Sequence, residues 1–121
     1  MIGLGIDAVS VRRFRDALDR TPNLRTRVFT TAELESLSGR VDSAPSLAVR
    51  FAAREATMKA LGVGLGAFDL HDVSIRNSET GAPELIVTGR ALELAQAQGV
   101  QSWLVSLSHT DDTAIAVVAS N

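Results

Sequence analysis

The chain contains no cysteine, which excludes disulfides, thiolate metal centres and cysteine nucleophiles. It has no tyrosine, one tryptophan and four phenylalanines, too few aromatics for base-stacking platforms, so nucleic acid is not an expected ligand. No apolar run approaches the ~20 residues of a membrane span. The start, MIGLGIDAV, lacks the charged beginning and long apolar centre of a signal peptide, and the expectation is a cytoplasmic protein. Lysine is nearly missing as well. Lys59 is the only one, and the other eleven basic residues are arginines. A compact, movable ammonium kept at one position matters, because Lys and Arg are not interchangeable where a proton or point charge must move.

What is present describes one domain, residues 1–121, with 45% apolar and 21% charged residues. The net charge of −2 conceals an asymmetry. Residues 12–27 hold six arginines against Asp16 and Asp19, a local +4, which leaves −6 elsewhere. Such a patch either steers an acidic partner or is a solvated helix face.

Ile2 to Val9 reads as a short buried strand in which Gly3 and Gly5 permit close approach or a bend. Ser10 caps a helix that carries Val11, Phe14 and Leu18 at helical spacing to about Arg20. Thr21-Pro22-Asn23 breaks it. Thr30 and Glu33 form a capping box for a short helix ending near Ser38, and residues 39–43 are loop-like. The main helix opens at Pro45 or Ser46 and stops at Gly62. Its apolar residues surround the axis, which marks a buried helix, and its alanines let neighbouring backbones come near. Gly62, Gly64 and Gly66 form a flexible loop. Strands follow around Val73–Ile75 and over Pro83–Thr88, separated by a turn at Ser78–Gly81. A helix over Gly89–Gln98 with Leu92 and Ala95 inward is closed by Gly99. A hairpin then pairs residues 102–108 with 113–119. The order β-α-α-α-β-β-α-β-β gives an α+β fold, with a mainly antiparallel sheet packed against the long buried helix.

Candidate chemistry is dispersed. Asp7, at a strand end after two glycines, holds a metal, orients a water or caps the next helix. Glu55 and Lys59 lie one turn apart in RFAAREATMKALG and form either an ordinary i,i+4 pair or a partly buried functional pair. His109 and Thr110, in SLSHTDD, suit phosphate contacts or proton transfer, or are simply exposed turn residues. Asp111 and Asp112 are explained by turn chemistry, His71 reads as a surface residue and Trp103 as core. GLGIDAV is not a dinucleotide or P-loop fingerprint, and HExxH and GxSxG are absent.

Taken in order, GIDAV, RFAAREATMKALG, GAPEL and SLSHT resemble holo-acyl-carrier-protein synthase, the small bacterial type of 4′-phosphopantetheinyl transferase, over nearly the whole chain. The resemblance implies transfer of the phosphopantetheine arm of coenzyme A to a serine of an apo acyl carrier protein, with release of adenosine 3′,5′-bisphosphate. It places the chain in fatty-acid or related lipid biosynthesis. By position it implies Asp7 and Glu55 as Mg²⁺ ligands and Lys59 as the ammonium facing the pyrophosphate. A base must take the serine proton, and Glu55, directly or through a metal-bound water, is the best candidate. Arg50, His109 and Thr110 fall where the family contacts the nucleotide and its 3′-phosphate. Gly62, Gly64 and Pro83 fall in segments that shape the coenzyme A cleft. Arg13, and with it Arg20 on the same helix, falls where the family grips its acidic carrier. A homotrimer with sites between subunits is implied too.

Three positions depart from the family pattern. Arg54 stands where Lys is more usual, Met58 where many members have Ser near the cleft, and Ser10 where many have Glu. Two other functions remain open at this point. One is a non-catalytic trimeric module binding an acidic protein or nucleotide. The other is a metal-dependent phosphohydrolase acting on coenzyme A.

Overall fold

The computed structural model describes residues 1–121. Strand β1 (Gly3–Ser10) leads into α1 (Val11–Arg20), the short helices α2 (Leu24–Val28) and α3 (Thr31–Ser36), and the long helix α4 (Ala44–Leu61). A 3-10 turn (Leu70–Asp72), β2 (Val73–Asn77), β3 (Pro83–Val87), α5 (Gly89–Ala97), β4 (Trp103–His109) and β5 (Thr113–Ser120) complete the chain. The α+β architecture is as the sequence implies, but the strands form two sheets rather than one broad one. One is three-stranded, in the order β1-β5-β4, and the other pairs β2 with β3; all pairings are antiparallel.

The first and last strands of the chain are thus neighbours, and α4 packs across them. Gly3 and Gly5 are what bring it there. A Cβ on Gly5 would overlap the Ala56 carbonyl, and one on Gly3 the Ala60 carbonyl. Residues at alternate positions share a face. Gly3, Gly5, Asp7 and Val9 therefore look toward α4, together with Ala114, Ala116 and Val118 of β5. The opposite face carries Leu4, Ile6, Leu104 and Ile115, all exposed; Leu4 and Leu104 flank Ala119 from either side.

Helix α4 runs through the interior. Leu47, Ala48 and Val49 join Phe14, Leu18 and Phe29 in one cluster, Ala52, Ala53 and Ala56 meet Ala116 and Val118 in a second, and Met58 and Leu61 meet Phe68 and Val73 in a third. Met58 is therefore a core residue, not a cleft residue missing a hydroxyl. The helix ends where Gly62 takes a left-handed conformation, φ 70°.

Several local expectations change. The segment Leu24–Val28 is helical, an element not read from its sequence; a single Arg- and Thr-rich turn shows no apolar periodicity, and Val28 alone anchors it in the core. In α5 the inward residues are Ala91 and Ala95, whereas Leu92 is exposed, one helical position off the buried face. Trp103 is half-buried, packed between the second and third clusters.

The capping box of Thr30 and Glu33 is present, but Glu33 does more than cap. Its carboxylate accepts from both terminal nitrogens of Arg54, at 2.5 and 3.1 Å, and from the Ile75 amide at 3.1 Å. Arg54 also donates from Nε to the Leu70 carbonyl at 2.8 Å and lies over the Phe29 ring. Both side chains are fully buried. The planar guanidinium fork suits this bidentate arrangement. It joins α3, α4 and β2, which fixes the orientation of α4 and with it the site.

Candidate active site

Asp7, Glu55 and Lys59 meet at the edge of the sheet. With Gly5 holding β1 against α4, Asp7 comes next on the same strand face, opposite the turn of α4 that bears Glu55 and Lys59. Lys59 donates from Nζ to the Ile6 carbonyl at 2.9 Å and to Asp7 Oδ1 at 3.2 Å. Two of the readings left open by the sequence fall away. Lys59 makes its ion pair with Asp7 and not with Glu55. Asp7 is not the cap of α1; Ser10 is, accepting from the Arg13 amide at 3.2 Å.

The Lys59 side chain is more than half exposed and Asp7 mostly covered. Burial, and after it the charge of Asp7, raises the pKa of Glu55, with Lys59 opposing in part. Two carboxylates near enough to repel each other carry excess negative charge that a divalent cation would relieve. No third carboxylate or imidazole joins them. The donor set fits a hard cation that completes its shell with water and substrate oxygens, the mode Mg²⁺ prefers, and not a closed all-protein cage.

The two acids line a cavity of about 440 Å³ together with Ser10, Arg13, Phe14 and Phe51. Arg13 belongs to this cavity and also to a shallow recess with Asp16, Asp19 and Arg20 along α1. Arg13 therefore borders both the acid pair and the exposed face of α1. The cue was available in the sequence, since Arg13 is the residue whose amide Ser10 caps, which sets it one turn after the strand that carries Asp7.

The other sequence candidates lie apart from the acid pair. Arg50 is buried on α4, donates from Nη1 to the Ser46 carbonyl at 3.1 Å and leaves Nε without a partner. Burial lowers its pKa, Glu33 opposes this, and Arg40 and Arg54 add to the lowering. Gly62 caps α4 and Gly64 lies in the exposed loop that follows. Pro83 begins β3 on the second sheet. His109 ends β4, exposed and without a side-chain hydrogen bond, and is separated from Val9 of β1 by the width of β5. Thr110 Oγ1 accepts from the amides of Asp112 and Thr113 and closes the hairpin turn. Within one chain Pro83, His109 and Thr110 do not line the Asp7–Glu55 cavity. Arg20 closes α1 and is exposed.

Comparison with known proteins gives this arrangement a context. A family profile described as the 4′-phosphopantetheinyl transferase superfamily matches residues 3–118. The chain is 44% identical to holo-[acyl-carrier-protein] synthase of Moorella thermoacetica, covering 97% of this chain and 91% of the relative. It is 45% identical to the enzyme of the same name from Streptomyces avermitilis, covering 99% and 97%. Among solved structures, the holo-[acyl-carrier-protein] synthase of Neisseria meningitidis superposes with a TM-score of 0.90 at 31% identity, covering 100% of this chain and 99% of that one. The Helicobacter pylori synthase in complex with coenzyme A gives 0.85 at 32% identity, covering 98% and 99%. The chain belongs to the holo-[acyl-carrier-protein] synthase family of the 4′-phosphopantetheinyl transferase superfamily, and it is a transferase of that class.

Proposed function

We propose that this chain transfers the phosphopantetheine arm of coenzyme A to a serine hydroxyl of an apo acyl carrier protein, in a Mg²⁺-dependent reaction that releases adenosine 3′,5′-bisphosphate. The convergence of Asp7, Glu55 and Lys59 carries this reading. A binding module has no need of two mutually repelling carboxylates beside a lone ammonium.

Asp7 and Glu55 would hold the cation, and its chemistry there is to neutralise charge on the pyrophosphate oxygens. Glu55, directly or through a water, takes the proton of the carrier serine. The serine oxygen forms its bond to the phosphorus bearing pantetheine as the bond to the oxygen of the nucleotide phosphate breaks. Lys59, oriented by Asp7 and the Ile6 carbonyl, meets the negative charge that grows on that leaving phosphate. Arg13 stands where the carrier's acidic surface and the cavity adjoin, and the arginines of residues 12–27 supply the complementary field.

The apolar outer face of the β1-β5-β4 sheet supports self-association, with Leu4, Ile6 and Leu104 each more than half exposed. In a trimer with sites between subunits, Pro83, His109 and Thr110 of one subunit serve coenzyme A held at Asp7 and Glu55 of the next. That explains why these residues do not meet the acid pair within a single chain.

The test is turnover. Incubation with coenzyme A, Mg²⁺ and apo carrier is expected to add ~340 Da to the carrier, one phosphoryl-linked arm. No gain on any of several carriers would overturn the reading. Release of phosphopantetheine without an acceptor would assign a hydrolase instead.

A further inference from the structure

Of the two histidines, His71 lies outside the motifs, and it joins two elements through both of its ring nitrogens. It sits in the 3-10 turn (Leu70–Asp72). Its Nε2 lies 2.7 Å from the Thr26 carbonyl oxygen of α2, and its Nδ1 lies 3.1 Å from Asp69 Oδ1. Both of those oxygens only accept. A neutral imidazole has one N–H and one lone pair, so it satisfies one oxygen and turns the lone pair toward the other. The imidazolium has an N–H for each. The Thr26 carbonyl depends on this contact. In a longer helix it would accept from the Thr30 amide, but that amide donates to Glu33 Oε1 at 3.0 Å in capping α3, which leaves His71 to satisfy the carbonyl.

The turn is anchored on its other sides. Arg54 Nε donates to the Leu70 carbonyl at 2.8 Å, the Thr88 amide to the Asp72 carbonyl at 2.8 Å and the Ala91 amide to the Asp72 carboxylate at 3.3 Å. Loosening between turn and α2 is therefore a movement of α2. Leu24, the first residue of that helix, lines the cavity that holds Asp7 and Glu55. Among the surrounding charges, Asp69 is the carboxylate against the ring, and its Oδ1 also accepts from the His71 amide at 2.8 Å. Arg54 of α4 reaches the turn already paired with Glu33 of α3. On α2, Arg25 is turned to Ser43 and Arg27 stands exposed. The His71 side chain is 42% exposed and exchanges protons with solvent.

We infer that His71 is a proton-operated clasp. As imidazolium it holds the end of α2 to the Leu70–Asp72 turn. On losing its proton it gives up one of its two partners, and α2, with its share of the wall of the acid-pair cavity, loosens as pH rises through the range in which histidine changes charge. The clasp contributes at acid pH and its contribution is lost toward alkaline pH. The inference does not rest on the transferase reading.

Amide hydrogen exchange of the full chain, followed by NMR at about pH 5.5 and about pH 8 and corrected for intrinsic rates, tests it. The Arg27 and Phe29 amides, which donate to the Asn23 and Arg25 carbonyls, report on α2. Their protection in the wild type is expected to be about threefold to fivefold lower at the higher pH, the scale of one exposed charged contact, while the amides of α4 keep theirs. The ring nitrogen shifts of His71 are expected to show both nitrogens protonated at the lower pH and to change with the same midpoint as the protection of α2. His71→Gln carries an amide that can donate to Thr26 at either pH, so the pH dependence of α2 is expected to vanish in it, and to persist in His109→Gln. Both histidines are exposed, so the variants are expected to fold, which circular dichroism checks. Protection of α2 that is equal at the two pH values in the wild type overturns the inference without recourse to any variant. So does a pH dependence that survives in His71→Gln.

Discussion

Gly5 of β1 lies so close to the Ala56 carbonyl of α4 that no side chain fits between them. This contact sets the distance from Asp7, two residues further on, to Glu55 and Lys59. Gly5→Ala forces backbone apart from backbone, since neither neighbour is a flexible side-chain tip. The expected cost is about 1–3 kcal/mol in denaturant unfolding, the range for overpacking, accompanied by loss of transfer activity in the molecules that remain folded. Unchanged stability would show that β1 and α4 can separate without consequence.

Glu33 and Arg54 make a different kind of demand. Burial alone would raise the pKa of Glu33, but the hydrogen bonds and charge of Arg54, with the Thr30 and Ile75 amides, hold it below its ordinary value of 4.5. The native state then binds fewer protons than the unfolded chain. Its contribution to stability is full above that ordinary value and is lost as pH falls toward the lowered one. Glu33→Ala strands the Arg54 charge in the interior and is expected to cost about 3–5 kcal/mol. Denaturant unfolding at neutral pH measures that cost; an acid titration of the wild type, followed by circular dichroism, measures the linkage.

Glu55 has the opposite sign. Its pKa is raised from 4.5, so the native state without metal binds more protons than the unfolded one, and this residue's contribution to stability declines as pH rises through that window. Activity runs the other way, because base and cation ligand both require the carboxylate. The acid limb of the pH–rate profile is expected to move to lower pH as the Mg²⁺ concentration rises, because the cation favours the carboxylate form. Asp7→Asn removes the neighbouring charge and should shift the Glu55 titration downward, as read by side-chain carboxyl NMR. A Glu55 titration that does not move would show that Asp7 is not close enough to act on it.

How much of this was legible in the sequence depends on the residue. The alternation that sets Gly3, Gly5 and Asp7 on one face is local, and so were the Ser10 and Thr30 caps and the Gly62 stop. The ordered motifs carried the family and pointed to Asp7, Glu55 and Lys59. Tertiary partners were not legible: nothing local pairs Glu33 with Arg54 across 21 positions. The helix at Leu24–Val28 was missed because one turn has no period to read, and the division of the strands into two sheets because pairing depends on contacts distant in sequence.

Leu104, directly across Ala119 from Leu4, tests the outer sheet face. Leu104→Glu places a charge on an exposed position of a folded single chain, so the fold should survive by circular dichroism. Light scattering is expected to give a trimer for the wild type and a monomer for the variant, with transfer activity lost as the site loses its second subunit. An unaltered mass and rate would remove the subunit interface from this face.

The most direct measurement is Mg²⁺ affinity in the presence of coenzyme A, by calorimetry, for the wild type, Asp7→Asn and Glu55→Gln. One cation per site is expected in the wild type, weakened by about tenfold or more in each variant, as for loss of one charged ligand, while circular dichroism shows the fold retained. Wild-type affinity in both variants would mean that these carboxylates do not share a cation, and the chemistry assigned to them would have to be abandoned.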